Sequence, residues 1–363
     1  MIRGGFGIFY DRVSENLFLQ ANRFDGSRQR RFVVSDPIFL DFYPQAPSVT
    51  TLSNFAVPQT VRRLADNLRT PYALHSTLGI ERELPFNFIV SATYLNVRLL
   101  HALRSRNINA PLVETVGTVG QTNRVRPFGN VGNIFLYESS GIFNQQQLII
   151  AVNNRFHNRF TVFANYTLGS AKSDTDGAGT FPVNSYDTSI EYGRAANDIR
   201  HSFTLGASIT APWDLRFDPL IIATSGAPFN ITTGDDFNED TLFNDRPAFA
   251  ADLTKAGVVQ TRFGAFDPNP GFGQTIIPRN FGRSPAFFSA DLRVSKTFGF
   301  GGKPGAAAEQ ERYNLVFALL IQNILNRTNL GTPIGNLSSP FFGISPFTSG
   351  DSRRVEAQTR FSF

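Results

Sequence analysis

The sequence has no cysteine, one methionine, one tryptophan and only four lysines: Lys172, Lys255, Lys296 and Lys303. Without cysteine there is no disulfide framework and no thiolate metal site. That absence fits a periplasm-facing or surface protein, although many cytosolic proteins share it. Charged residues make up 17% of the 363, below the roughly 25% usual for soluble domains. No apolar run approaches the ~18 residues of a transmembrane helix. The longest, Leu315 to Ile321, is the length of a strand. No signal peptide is apparent, because Met1-Ile2-Arg3-Gly4-Gly5 leads straight into a strand pattern. His75, His101, His157 and His201 lie far apart and none has zinc-type spacing. No nucleophile–base pattern stands out, so nothing marks an enzyme.

The net charge is +5 and the isoelectric point about 9.6. An arginine-dominated balance of this kind can indicate nucleic-acid binding. Here the arginines are scattered singly on strands or beside loops, and only Arg28, Arg30 and Arg31 cluster. Solvated strand and loop charges account for that distribution, and no nucleic-acid partner is expected.

What the chain does contain is phenylalanine (37), glycine (30), proline (21) and a recurring period of two. Alternation of this kind marks β-strands with one apolar and one polar face. Ten strands are expected: Ile2 to Tyr10, Tyr72 to Leu84, Asn87 to Val97, Phe143 to Arg155, Phe160 to Ala171, His201 to Ala211, Asp214 to Thr224, Phe287 to Phe298, Tyr313 to Ile321 and Arg353 to Phe363. The cleanest is His201 to Ala211, with Phe203, Leu205, Ala207 and Ile209 against Ser202, Thr204, Gly206, Ser208 and Thr210. Short turns at Pro85, His157-Asn158, Pro212-Trp213 and Gly299 to Glu311 alternate with long irregular stretches. The long stretches are 11–71, 98–142, 172–200, 225–285 (with a short strand expected at Phe229 to Thr233) and 326–352.

Short turns on one side and long loops on the other are the habit of transmembrane β-barrels. Strands of about 9–11 residues suit a tilted crossing of a bilayer. A packed soluble core would not hold the Asn, Thr, Glu, Asp and Arg of the polar faces unpaired. Loops of such length are also unusual in a compact soluble domain. In the last strand Val355, Ala357, Thr359, Phe361 and Phe363 face one way, and Arg354, Glu356, Gln358, Arg360 and Ser362 the other. That ending resembles the closing strand of a bacterial outer-membrane β-barrel. The resemblance implies that Phe361 and Phe363 belong to a signal read by the barrel-assembly machinery, with outer-membrane lipid as the surrounding partner. Tyr94, Tyr166, Phe298, Phe361 and Phe363 read as aromatics of the membrane interface.

Further blocks narrow the resemblance. Arg3-Gly4-Gly5-Phe6-Gly7-Ile8-Phe9-Tyr10-Asp11, Thr224-Ser225-Gly226-Ala227-Pro228-Phe229, Asn244-Asp245-Arg246-Pro247, Arg279-Asn280-Phe281-Gly282-Arg283, Asp291 to Phe298 and Asn323 to Asn329 resemble the TonB-dependent outer-membrane receptors. The likeness is to the Oar-like group that carries a carboxypeptidase-regulatory-like domain. It implies an antiparallel transmembrane β-barrel of 22 strands, of which residues 1–363 supply about the last ten, an incomplete half-barrel. It implies further partners outside these residues: an N-terminal plug, the other barrel half, and TonB, engaged through a box before the plug. Val316, Ala318 and Leu320 depart from the pattern, being apolar where the lumen face should be polar. Either an element inside the barrel covers them or the register slips there.

One candidate metal site stands out. Asp236, Asn238 and Asp240 place oxygen donors at alternate positions, as in the first half of a calcium loop, and Asn244 and Asp245 could add ligands. Thr241 stands where such a loop needs glycine, and no Glu occupies the twelfth position. A solvated acidic loop explains the same residues. No other cofactor is indicated. A transport barrel for a bulky nutrient, such as a carbohydrate, siderophore or peptide, is the leading function. An adhesive or surface-structural barrel and a soluble all-β binding protein are the alternatives.

Overall fold

The computed structural model describes residues 1–28, 32–34, 41–55, 57, 59–112, 125–157, 159–271, 274–301 and 313–363, without the side chains of residues 54 and 155–157. Arg30, Arg31, Asn158, Lys303 and most of the expected turn at Gly299 to Glu311 lie outside these residues. One antiparallel sheet dominates. Its main path runs in chain order through β1 (Ile2–Tyr10), β2 (Tyr72–Leu84), β3 (Phe88–Asn107), β4 (Ile134–His157), β5 (Phe160–Ser173), β6 (His201–Ala211), β7 (Leu215–Thr224), β8 (Phe287–Phe300), β9 (Tyr313–Gln322) and β10 (Arg354–Ser362). Among the described residues β1 pairs only with β2 and β10 only with β9, and the sheet is not closed.

Register places the faces. Ile2, Ile80, Ala92, Ile150, Tyr166, Phe203, Ala223 and Phe288 form one row across eight strands. Arg3, Gly79, Thr93, Ile149, Thr167, Ser202, Thr224 and Phe287 form the neighbouring row on the other face. The first face is apolar across the sheet, as a lipid-facing surface must be. The second is mixed and polar, and several of its charges pair: Arg3 with Glu81 at 2.9 Å, Arg216 with Asp218 at 2.8 Å, Arg293 with Asp218 at 3.8 Å and Arg354 with Glu356 at 2.6 Å. The register does not slip at Val316, Ala318 and Leu320. They stand opposite Arg360, Gln358 and Glu356 in an unbroken ladder. β2 is 13 residues long. At ~3.3 Å per residue and a tilt of ~40–45° it crosses roughly 30 Å, one bilayer core.

The short-turn side repeats one device. Pro85-Phe86-Asn87 and Pro212-Trp213-Asp214 each follow proline with two residues at positive φ, 65° and 56° in the first and 64° and 55° in the second. Proline sets the entry angle and the next two residues reverse the chain.

Three expectations for the long stretches are corrected. Residues 98–107 and 134–142 are not irregular, because they extend β3 and β4 well past the level of their neighbours. A bulge at His101 (φ 59°) shifts the pairing between Leu100 and Ala102 and breaks the alternation. The 11–71 stretch holds helix α1 (Glu15–Arg23), capped by the Ser14 hydroxyl accepting from Asn16 N–H at 3.3 Å, with Leu17 and Ala21 buried one turn apart. It also holds a short strand, Val61–Leu64, that pairs in parallel with the start of β4. The strand expected at Phe229 to Thr233 shrinks to Pro228–Phe229 and pairs with Gly282–Arg283.

The long connections fold into a cap. Ala248–Phe249 and Val259–Thr261 both pair with Gly264–Asp267. Phe229, Ile231, Phe266, Ile277 and Leu337 bury one another, flanked by Phe263, Phe281 and Phe342. Thr232 N–H donates to Gly335 O at 2.9 Å and Leu337 N–H to Thr232 O at 2.9 Å, fastening the 323–353 connection onto the 225–286 one. At the neck of the latter, a Cβ on Gly226 would lie 1.7 Å from Ser284 O, so only glycine fits.

Candidate functional site

The 236–245 turn sits where three connections meet. Glu239 and Thr241 hold left-handed φ of 53° and 71° and curl the backbone tightly. From the β3–β4 extension, Asn107 Nδ2 donates to Asp240 O at 3.2 Å, Arg126 Nη2 to Glu239 O at 2.8 Å, and Asn133 Nδ2 to Thr241 Oγ1. Toward the 174–200 connection, Asn238 Nδ2 donates to Val183 O at 2.8 Å and Asn244 Nδ2 to Phe181 O at 3.1 Å. Ion pairs made by buried arginines brace the same region: Arg246 with Glu191 at 2.7 Å, Arg104 with Asp174 at 2.5 Å, and Arg279 with Asp176.

The structure brings Asp236, Asn238, Asp240 and Asp245 into this one turn. Their side chains cap backbone N–H groups. Asp236 accepts from Asp240 N–H at 3.1 Å and Thr241 N–H at 2.8 Å, and Asn238 Oδ1 accepts from Asp240 N–H at 3.0 Å. Asp240 Oδ1 accepts from Leu242 N–H at 2.8 Å, and Asp245 Oδ2 from Phe237 N–H at 2.7 Å. Among the described residues no three His, Cys, Asp or Glu side chains form a group placed to hold a metal ion. Asp240 is 1% exposed, Asp245 is 6% exposed, and Asp240 Oδ2 has no hydrogen-bond partner. Burial pushes the Asp240 carboxyl up to about 7, with Asp236 and Asp245 adding to the rise. Burial pushes Asp245 up to about 6, with Asp236 and Asp235 adding to it.

Beside the turn lies a cleft of about 760 Å³, lined by Tyr186, Ile190, Tyr192, Asp240, Asp245 and Ile276 among others. The Tyr186 hydroxyl donates to Ala110 O at 2.6 Å, and the Tyr192 hydroxyl accepts from Asn144 Nδ2 at 3.1 Å. Sequence reasoning missed this cleft. Its walls come from three separate connections, and no local spacing joins them.

The remaining candidates lie on the wall. Phe361 stacks on Tyr313 at 6.2 Å and on Phe300 at 6.3 Å, and Phe363 sits 6.1 Å from Phe361. Tyr94 and Phe298 are exposed on the apolar face, and Tyr166 hydrogen-bonds His201 Nδ1 at 2.8 Å. His75 packs edge-on against Phe9 at 4.7 Å, and His101 forms the bulge.

An antiparallel sheet with an apolar outer face, a polar inner face and long connections gathered on one side defines a bacterial outer-membrane β-barrel wall. The chain belongs to the outer membrane beta barrel domain family, whose profile matches residues 1–356. No curated protein matches the sequence. Among solved structures, the chain is similar to the outer membrane transporter YddB from Escherichia coli at 12% identity and a TM-score of 0.49, over 99% of this chain and 37% of that one. It is also similar to the FrpB iron transporter from Neisseria meningitidis, at 12% identity and a TM-score of 0.41, over 82% and 32%. The ferric-catecholate import receptor Fiu from K12 E. coli gives 12% and 0.42, over 85% and 30%. The chain thus spans about a third of the length of these transporters.

Proposed function

We propose that residues 1–363 form the C-terminal wall and outer cap of a TonB-dependent receptor that imports a bulky solute, of the Oar-like group named above. The reading rests chiefly on one observation: ten barrel strands stand in an unclosed sheet, with a polar inner face under a folded cap that carries a cleft. A 22-stranded wall supplies the missing neighbours of β1 and β10. Plug and TonB box belong to the rest of such a receptor, and no step of transport is enzymatic. A structural Ca²⁺ at Asp236, Asn238, Asp240 and Asp245 is a second proposal, motivated by the alternate oxygen donors.

The test is uptake by cells carrying the intact gene. Solute accumulation should stop when TonB is deleted or the proton gradient is collapsed, while surface binding persists. Accumulation that ignores both treatments contradicts the reading. An adhesive barrel is then favoured if the cap binds a surface with no uptake at all.

A further inference from the structure

We propose that the cleft between the 174–200 and 225–286 connections binds a small organic cation, a primary ammonium or guanidinium carried on an apolar stem. The argument begins with the buried carboxylates of the cap. Glu191, Asp198 and Asp267 are buried, and each has a cationic partner: Arg246 at 2.7 Å, Arg283 at 3.3 Å and Lys255 at 2.5 Å. Asp240 and Asp245 are buried as deeply, yet among the described residues no arginine or lysine forms an ion pair with either, or with Asp236 beside them. A buried carboxylate without a partner is strongly unfavourable. Asp240 Oδ2 lacks even a hydrogen-bond donor. The cluster therefore calls for a cation that arrives from outside the chain.

The cleft says what kind. Asp240 and Asp245 line it, and its volume of about 760 Å³ is that of an organic-ligand site. A tightly held metal ion would need several converging oxygens, and among the described residues the carboxylates are not so placed. An ammonium or guanidinium needs only acceptors for its N–H groups, and Asp240 and Asp245 both line the cleft. Tyr186 and Tyr192 have their hydroxyls engaged elsewhere, which leaves their ring faces to meet a cation or its stem. Ile190 and Ile276 supply apolar wall. The two arginines whose charge reaches Tyr186, Arg106 and Arg126, are already committed. Arg106 bonds Glu138 at 2.8 Å and Ser185 O at 3.0 Å, and Arg126 bonds Asn109 O at 2.7 Å and Glu239 O at 2.8 Å. They temper the negative field without donating to the cluster.

This inference deepens the transport reading by naming a substrate class, and rests on it for that purpose. The binding site itself can be tested apart from transport. The probe is 1,5-diaminopentane, titrated calorimetrically into the protein purified in detergent, with 1-pentanol and CaCl₂ as controls. The diamine should bind, pentanol should not, and Ca²⁺ at equal concentration should not displace it. Asp240→Asn keeps an acceptor for Leu242 N–H and removes the charge. It should weaken diamine binding about tenfold or more, the scale of a lost charge-assisted hydrogen bond, while the thermal midpoint holds or rises. Tyr192→Leu, on the opposite wall, should weaken binding several-fold and serves if Asp240→Asn fails to fold. Absence of diamine binding, binding indifferent to both variants, or displacement by Ca²⁺ at equal concentration would each overturn the proposal. Binding without energy-dependent uptake would sink the transport reading and leave the cleft standing. TonB-dependent uptake of some other solute by a protein that binds no diamine would do the reverse.

Discussion

Tyr313 and Phe361 lie ring over ring, their planes 8° apart and their centroids 6.2 Å apart, on adjacent strands at the short-turn side of the sheet. Phe300 joins the stack from β8. Three strands thus share one aromatic plate where lipid headgroups begin, the level at which such rings are favoured. Phe363 stands at its margin and is 94% exposed, so it adds little packing to the finished wall.

Deleting Phe363 should therefore separate assembly from stability. Cells should fail to insert the shortened protein, while the same protein should refold in detergent with a melting point close to wild type. Normal insertion in cells would remove Phe363 from any assembly signal. Phe361→Ala should behave differently, because it breaks the stack. A loss of about 0.5–1.5 kcal/mol beyond the buried area is expected in detergent refolding.

The two faces of β6 should respond unequally to charge. Leu205→Arg or Ile209→Arg places a guanidinium in lipid and should cost about 2–4 kcal/mol near the bilayer midplane. Thr204→Arg or Ser208→Arg points inward and should be mild. Refolding equilibria in lipid vesicles read the difference directly, and equal losses on both faces would reject the assignment.

Protonation should firm the 236–245 turn. Asp240 and Asp245 titrate at about 7 and about 6 in the fold, against roughly 3.9 for an unfolded aspartate. With the folded values raised, the stabilising contribution is full below about pH 4 and is lost as pH climbs through 6 and 7. Proteolytic nicking of the cap should accelerate between pH 5 and pH 8. Asp240→Asn should flatten that dependence. A slope of the same steepness in the variant would assign the effect elsewhere.

Calcium should bind the turn weakly. Asp236, Asp240 and Asp245 each already accept from a backbone N–H, and among the described residues these carboxylates do not converge into a metal cage. Affinities of ~10⁻⁴–10⁻³ M, those of extracellular modules, are the expectation. Micromolar binding in a calorimeter, or none at any concentration, would change the reading of this loop.

Much of the wall was legible in the sequence. β2 and β6 begin and end at the residues their alternation marks, and their two faces follow from period two. The extensions of β3 and β4 were hidden because the His101 bulge inverts the pattern just where they leave the membrane level. The helix at Glu15–Arg23 had its signals, a Ser14 cap with Leu17 and Ala21 four apart, but they are brief. The cap could not be read locally. Its strands are two to four residues long, and its core joins Phe229 to Leu337. For the site, the Asp236–Asp245 turn announced itself through its acidic spacing. Tyr186 and Tyr192 became part of it only through folding.

The protein contains two solvophobic interiors of opposite sense. Phe229, Ile231, Phe266, Ile277 and Leu337 hide from water inside the cap, while Leu205, Ile209 and their row turn outward into lipid. Water holds the first together and the bilayer holds the second. Urea should dissolve the cap while sparing the wall, and a short-chain or ionic detergent should act in the opposite order. Temperature scans in each solvent should then give separate, exchangeable transitions in place of one cooperative melt. Outer loops could accordingly be rebuilt or lost in evolution with no change to the sheet that carries them.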